Sequence, residues 1–424
     1  MFLKRLILKN IRSIEHLELC FDQEQEPLRP WTLILGENGV GKSTILRALA
    51  LALAGGEALQ DLLVNPADWV RKGSDLGSIA VEIVAPDGTL EGLKLSISSK
   101  DTRMTILKRN VKALDRLDAF QKQASHGYLT IGYGVSRRLS TARVTSFQKS
   151  ESFISRRAQA LATLFDPNAT LYPLDTWAID LHYRRGDEGL DLIRTAFKDL
   201  LRGIQFSTID REERELLFDT PDGLIPLRSL SDGYQDVAGW WGDLLFRITD
   251  ILSQPAGPLS VPGVLIIDEV DLHLHPAWQR QLRDFLTQRL PNFQIITTSH
   301  SPLAAQQCGP GELFLLQRLP ENDPPVLSVF EGDPRLLKIQ QLIASPIFGL
   351  DTTASRYVEN LRNDYTELKD RAPNRGLLES KDEEQEHLQS IVQKLSEIPD
   401  SERLSKRQRK QQDLLTQIND SLKK

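Results

Sequence analysis

Apolar and polar positions alternate over residues 3–9 and again over Leu17–Phe21, a period of two that predicts an opening pair of strands. Trp31–Leu35 is a short apolar strand that runs directly into GENGVGKST. Behind it Ile45, Leu46, Leu49 and Leu53 recur at helical spacing, which predicts a buried helix from Lys42 to about Ala54. Ile79–Val84 and Leu93–Ser98 read as strands joined by a Pro-Asp-Gly turn at Pro86–Gly88. The character changes from Asp101 to Ala160, although a core-like pattern returns at Tyr128–Tyr133. A helix is expected from about Asp187 to Leu201, with strands near Gly203–Phe206 and Leu216–Asp219. Gly263–Asp268 is a continuous apolar strand ending in two acids. A helix from Pro276 to about Leu290 and buried strands at Gln294–Thr298 and Leu313–Gln317 complete this part.

From about Asp351 the chain turns charged, helical in propensity and poor in aromatics. Tyr357, Leu361 and Leu368 share one helical face, with Tyr365 close by. Leu388, Ile391, Leu395 and Ile398 form a second stripe, broken by Pro399-Asp400, and Leu404, Leu414, Leu415, Ile418 and Leu422 form a third. Each stripe is too narrow to make an independent core. No internal repeat and no heptad run long enough for a coiled-coil arm is present.

Composition changes this picture in three places. At 424 residues, 40% of them hydrophobic and 26% charged, the chain fits one large soluble domain with an appendage, or two domains of ordinary size. No apolar run approaches the roughly 20 residues of a membrane span. The N-terminus reads as a strand without a small-residue cleavage site, and Cys20 and Cys308 are too few for a disulfide framework or a zinc site, so a cytoplasmic protein without a membrane partner is expected. The net charge of −6 argues against a chain coated in nucleic-acid-binding charge, yet residues 101–160 carry twelve Lys and Arg against four Asp and Glu. That segment is either a solvated helical lobe or a surface for nucleic acid, DNA or RNA, or for a partner.

The chemistry sits in four short strings. Gly36-Glu37-Asn38-Gly39-Val40-Gly41-Lys42-Ser43-Thr44 fits G-x-x-x-x-G-K-[ST] without a mismatch. Its glycines let consecutive N–H groups curl around a phosphate chain, and the helix starting at Lys42 adds its positive end. Lys42 is expected on the β- and γ-phosphates of ATP and Ser43 on Mg2+. Asp268 and Glu269 follow the strand GVLII: a strand-tip carboxylate beside a P-loop holds Mg2+, and the next acid can orient and deprotonate water. Ser231, Asp232 and Gly233, in LSDGYQ, put a hydroxyl and backbone donors at a helix start, where an anion binds. His300 follows the strand QIITTS, where a ring nitrogen can meet a γ-phosphate. His273 and His275 could be drawn as a metal pair, but no third ligand cluster accompanies them and a structural role is expected.

With the P-loop, LSDGYQ, LIIDEVDLHLHP and TSHSP in this order, the chain resembles ABC-type ATPases related to RecF, the double-strand-break-repair ATPases and the SMC proteins. The resemblance implies an α/β fold: an ABC-type P-loop ATPase head with a mixed sheet, a helical lobe and a helical C-terminal tail. It implies an ATPase domain over residues 1–350, with a locally basic helical insertion at about 101–200, and a tail over 351–424 for assembly or partner docking. The opening LKNIRSIEHLEL also resembles that group and implies that Asn10 and Arg12 touch the ATP. Gly132-Tyr133-Gly134 with Arg137 falls at the Q-loop position without its usual Gln. LHLHP and IGYGVSRRL look most like compact ATPases of anti-phage systems, namely Septu, retron-associated ATPases and the ATPase halves of overcoming-lysogenisation-defect nucleases. That likeness implies a homodimer or higher homo-oligomer regulating an effector in trans, a nuclease. The alternatives are a RecF-like repair ATPase acting on DNA and a transporter subunit, the latter disfavoured by Asp232 and Tyr234 where such subunits carry LSGGQ.

Overall fold

The computed structural model describes residues 2–22, 29–85, 88–123, 128–139, 155–198, 200–201, 203–251, 259, 261–318, 323–345, 348, 354–371 and 381–396. The chain divides into two compact units, Met1–Gly349 and Leu350–Lys424.

In the first unit β1 (Phe2–Ile11) and β2 (Ile14–Cys20) form the expected hairpin, and Asn10 and Arg12 take the left-handed conformation at its tip, with φ 52° and 50°. After β3 (Trp31–Leu35) and the P-loop comes α1 (Lys42–Leu53), most of whose residues are buried. Its chain turns through Ala54 into a second helix that the spacing did not announce, α2 (Gly55–Leu62). β4 (Leu76–Val84) and β5 (Leu90–Ser98) pair antiparallel, and with the hairpin they make a four-stranded sheet in the order β2-β1-β4-β5. Of the turn expected between them, Pro86 and Asp87 lie outside the described residues.

The segment expected to be a helical lobe holds α3 (Arg103–Gln123), α4 (Arg156–Phe165), α5 (Leu174–Arg185) and α6 (Asp187–Phe197). It also holds β6 (Leu129–Tyr133), which belongs to the central sheet, so the lobe is not an insertion separate from the core. β7 (Gln205–Asp210), β8 (Glu215–Thr220) and β9 (Gly223–Pro226) form a small antiparallel sheet. β9 has only four residues, none buried, and therefore no apolar pattern to read. α7 (Asp232–Ile251) starts inside LSDGYQ.

β10 (Gly263–Ile267) is buried along its whole length. The helix expected over 276–290 is instead two pieces, α8 (Pro276–Gln279) and α9 (Leu282–Arg289). The Gln281 amide donates to the Trp278 carbonyl three residues back, and this tighter turn interrupts the α-helical ladder. β11 (Phe293–Ser299), α10 (Pro302–Ala305), β12 (Leu313–Gln317), β13 (Val326–Val329) and α11 (Ile339–Ile343) complete the unit. The central sheet runs β13-β12-β3-β11-β10-β6, parallel except for β13, which makes it a mixed sheet in an α/β head.

The two faces of this sheet serve two apolar clusters, because side chains alternate along a strand. Leu33, Leu265, Ile267 and Ile295 pack with Trp177, Trp240, Trp241 and Leu244 of α5 and α7. Ile34, Val264, Ile266 and Ile296 pack with Ile45, Leu46 and Leu49 of α1 and with the four-stranded sheet. The helix that leaves the P-loop and the helix that starts at LSDGYQ therefore cover opposite faces.

In the second unit α12 (Arg356–Arg371) and α13 (Lys381–Ser396) pack on each other, with Leu361 and Ile391 buried and Tyr357 exposed. Ile398, Pro399-Asp400 and the stripe from Leu404 to Leu422 lie outside the described residues.

Candidate functional site

Three strand ends meet at one edge of the central sheet. Ser299 pairs with Leu35 and Thr297 with Ile267, so Gly36, His300 and the Asp268-Glu269 pair all emerge side by side at the carboxyl ends of parallel strands, where such sheets bind ligands.

The P-loop leaves β3 through Gly36, where any side chain would collide with the Leu316 carbonyl, and enters α1 at Gly41 with φ 117°. Val40 is buried in the core and anchors the loop, while Glu37, Asn38 and Gly39 are exposed. Ser43 is half-buried and Thr44 buried in the first turn of α1. The Lys42 ammonium folds back into its own loop, donating to the Gly36 carbonyl at 2.7 Å and the Glu37 carbonyl at 2.8 Å. Burial lowers its pKa, and the charges of Asp268, Glu269, Asp271 and Glu37 oppose that shift. The cation and the strand-tip acids thus already feel each other across the site.

Asp268 is buried, and Thr298 of β11 donates its hydroxyl to Asp268 Oδ1 at 2.6 Å. The same hydroxyl accepts from the Glu269 amide at 2.8 Å. On the other flank the Asp268 amide donates to the Tyr133 carbonyl at 2.8 Å. Glu269 is half-buried and sits in the left-handed region, φ 49°. Arg137, at the expected Q-loop position, has its guanidinium under the same turn: Nη2 donates to the carbonyls of Asp268 at 2.7 Å and Glu269 at 2.5 Å. Nε donates to the Gly134 carbonyl at 3.0 Å. Burial pushes the Arg137 pKa down to about 10, against the pull of Asp268, Asp236, Asp271 and Glu269, so it stays a cation at neutral pH. His300 is exposed one residue past β11.

The tip of the β1–β2 hairpin touches the P-loop: a Cβ on Gly41 would stand 3.4 Å from Ser13 Oγ. Arg12 stacks its guanidinium over Trp69 at 4.4 Å. Burial, then the charge of Arg47, lower its pKa. A cleft of about 610 Å3 opens here, lined among others by Arg12, Ser13, Arg71, Lys72 and Arg318. Asn10 is engaged by the neighbouring strand, its side-chain amide donating to the Leu76 carbonyl at the start of β4 at 3.4 Å. Trp69, Arg71 and Lys72 were not singled out in the sequence; the run Trp69-Val70-Arg71-Lys72 is its one local hint.

Ser231 and Asp232 are exposed at the start of α7, and Gly233 lies against the His273 carbonyl, where a Cβ would stand 2.8 Å away. These three residues sit on the sheet face opposite α1 and are not brought to Lys42 of the same chain. His273 faces Asp236 of α7 at 3.9 Å, and His275 Nδ1 accepts from the Ala277 amide at the start of α8. Among the described residues no group of three His, Cys, Asp or Glu side chains could hold a metal ion.

Residues 32–305 match the family described as "AAA domain, putative AbiEii toxin, Type IV TA system". The chain is similar to the Septu protein PtuA of Bacillus mycoides, 26% identical over 94% of this chain and 51% of that protein. It is also similar to the Septu protein PtuA of Bacillus thuringiensis, 24% identical over 84% of this chain and 87% of that one. The "Retron Ec83 probable ATPase" of Escherichia coli is 27% identical over 33% of this chain and 26% of its own length. The chain spans about half of the Bacillus mycoides protein and about a quarter of the retron protein. No helix among the described residues is long and apolar enough to cross a membrane. With the P-loop, both strand-tip acids and His300 all inside the matched residues, this chain belongs to that AAA-domain family.

Proposed function

We propose that the protein binds and hydrolyses ATP, dimerises around it, and thereby regulates a partner effector, a nuclease, in anti-phage defence. The observation that carries the reading is the split of the site: Lys42, Asp268, Glu269 and His300 share one sheet edge, whereas Ser231–Gly233 lies on the opposite face. A phosphate chain cradled by the amides of residues 36–44 and by Lys42 is completed by the Ser231 hydroxyl and Gly233 amide of a second copy. Arg12 borders the cleft at the hairpin tip and takes the nucleoside end.

The donors present fit a divalent cation. Ser43 offers a hydroxyl in the first turn of α1, and Asp268 is a buried carboxylate with Thr298 on one oxygen, hard ligands of the kind Mg2+ takes. When bound, Mg2+ neutralises charge on the phosphates. Glu269 holds the attacking water and takes its proton as the water oxygen bonds to the γ-phosphorus and the bond to ADP breaks. His300 steadies the γ-phosphate from β11, the strand between β3 and β10.

A partner effector follows from the likeness to Septu and retron-associated ATPases. Direct contact with DNA or RNA is supported separately by α3, where Lys108, Lys112 and Arg116 are exposed in a line without an ion-pair partner among the described residues. The RecF-like alternative would use that same helix. Two inactive proteins test the shared site. Lys42→Ala spoils one half and Ser231→Arg the other, so mixing them restores one competent site per mixed dimer. Mixed dimers that form and remain inactive would refute it.

A further inference from the structure

Arg137 lies outside the P-loop, yet it is bound to the two residues on which the proposed hydrolysis depends. It is 8% exposed, and its hydrogen bonds go to main-chain carbonyls: Gly134 after β6, then Asp268 and Glu269. A buried guanidinium is costly unless its donors are satisfied, and its flat fork spans neighbouring acceptors in a way a lysine ammonium does not.

Glu269 supplies the reason for such a grip. A residue with a Cβ is unfavourable in the left-handed region and persists there only where its surroundings hold it. On the β11 side Thr298 binds the Glu269 amide through its hydroxyl and the Val270 amide through its carbonyl. On the β6 side the side chain that holds the turn is Arg137. The loop bearing it, Val135–Arg138, also walls a cleft of about 370 Å3 with Asp236, Val237 and Trp240 of α7 and with His273. The grip therefore stands between the start of the LSDGYQ helix and the hydrolytic carboxylate.

We propose that Arg137 is a positioning residue that holds the Asp268–Glu269 peptide in the left-handed turn aiming the Glu269 carboxylate at the attacking water. This rests on the ATPase reading above. A side chain acting through Glu269 has its effect only where Glu269 is present, which separates positioning from general support of the fold.

The experiment is a double-mutant cycle in the full chain with Arg137→Ala, Arg137→Lys and Glu269→Gln. Hydrolysis is followed in steady state and in single turnover with excess protein, and ATP affinity by equilibrium binding. Misplacing a reacting group by about 1 Å costs on the order of 100-fold in rate. Arg137→Ala is thus expected to lower kcat about 100-fold with ATP affinity within about threefold, Arg137→Lys to fall between, and neither to slow Glu269→Gln further. Equal losses with and without Glu269, an unchanged kcat, or a loss of affinity matching the loss of rate would overturn the role. Should Arg137→Ala fail to fold, Arg137→Lys carries the same cycle. No hydrolysis by the unmutated chain would overturn the ATPase reading, a wild-type rate in Glu269→Gln would overturn the assignment of Glu269 and with it this role, and a slow Glu269→Gln beside a fast Arg137→Ala overturns the role alone.

Discussion

Thr298 shows how much one side chain settles at this site. A buried hydroxyl can donate one hydrogen bond and accept others, and here it does both, to the neighbouring acids Asp268 and Glu269. Asp268 is fixed by its carboxylate and Glu269 by its backbone, which leaves the Glu269 carboxyl free to work. The two variants that probe the phosphate and water ends therefore differ in kind. Lys42→Ala removes a charge-assisted bond to phosphate, of about 1.5–3 kcal/mol, and should weaken ATP binding by about 10- to 100-fold. Glu269→Gln removes the proposed base and keeps the shape, so ATP should stay bound while turnover falls by about 100- to 10,000-fold. Equilibrium binding and hydrolysis measured on both proteins check this; affinity lost in Glu269→Gln as in Lys42→Ala would contradict the division of labour.

At the level of elements, legibility followed range. The P-loop, β10 with its two acids and β11 with His300 were readable because each is a continuous buried strand with its chemistry at the tip. The grip of Arg137 on residues more than 130 positions away, and the stacking of Arg12 on Trp69, leave no local pattern, since only the folded chain brings those residues together. The break between α8 and α9 was also illegible, because Trp278, Leu282 and Leu286 keep helical spacing across it. In α3 the structure sharpens what composition could only sum. Arg109 is held by Asp101 at 2.9 Å, whereas Lys108, Lys112 and Arg116 follow one another at four-residue steps over about 12 Å of helix. Reversing those three charges should weaken DNA or RNA binding and flatten its dependence on log salt by about 3, one counterion per lost contact. Titrations across ionic strength check this, with Arg109→Glu as the control expected to act less; unchanged affinity in the triple variant removes the nucleic-acid role.

At the level of the whole molecule, the paired α12 and α13 form a unit of their own, with Tyr357 and Val392 left exposed. Two short helices are marginal alone in water, so a further surface for them to bind is a natural use. Removing residues 376–424 should leave ATP binding intact and abolish higher assembly or effector capture, read by light scattering and pull-down with the effector. A truncated protein that assembles and captures normally refutes docking, and one that becomes insoluble assigns these helices to the stability of the fold. The central sheet has a subtler consequence. Because it is a wall shared by two interiors, the parity of a position along β10 decides which of them a methyl group belongs to. Ile266 is lodged on the side of the P-loop helix and Ile267, its neighbour, on the side of the LSDGYQ helix. Variation accumulating at even and odd positions of that one strand would repack two different helices, so the seat of the P-loop helix and that of the LSDGYQ helix can drift apart in evolution without any change at the site itself.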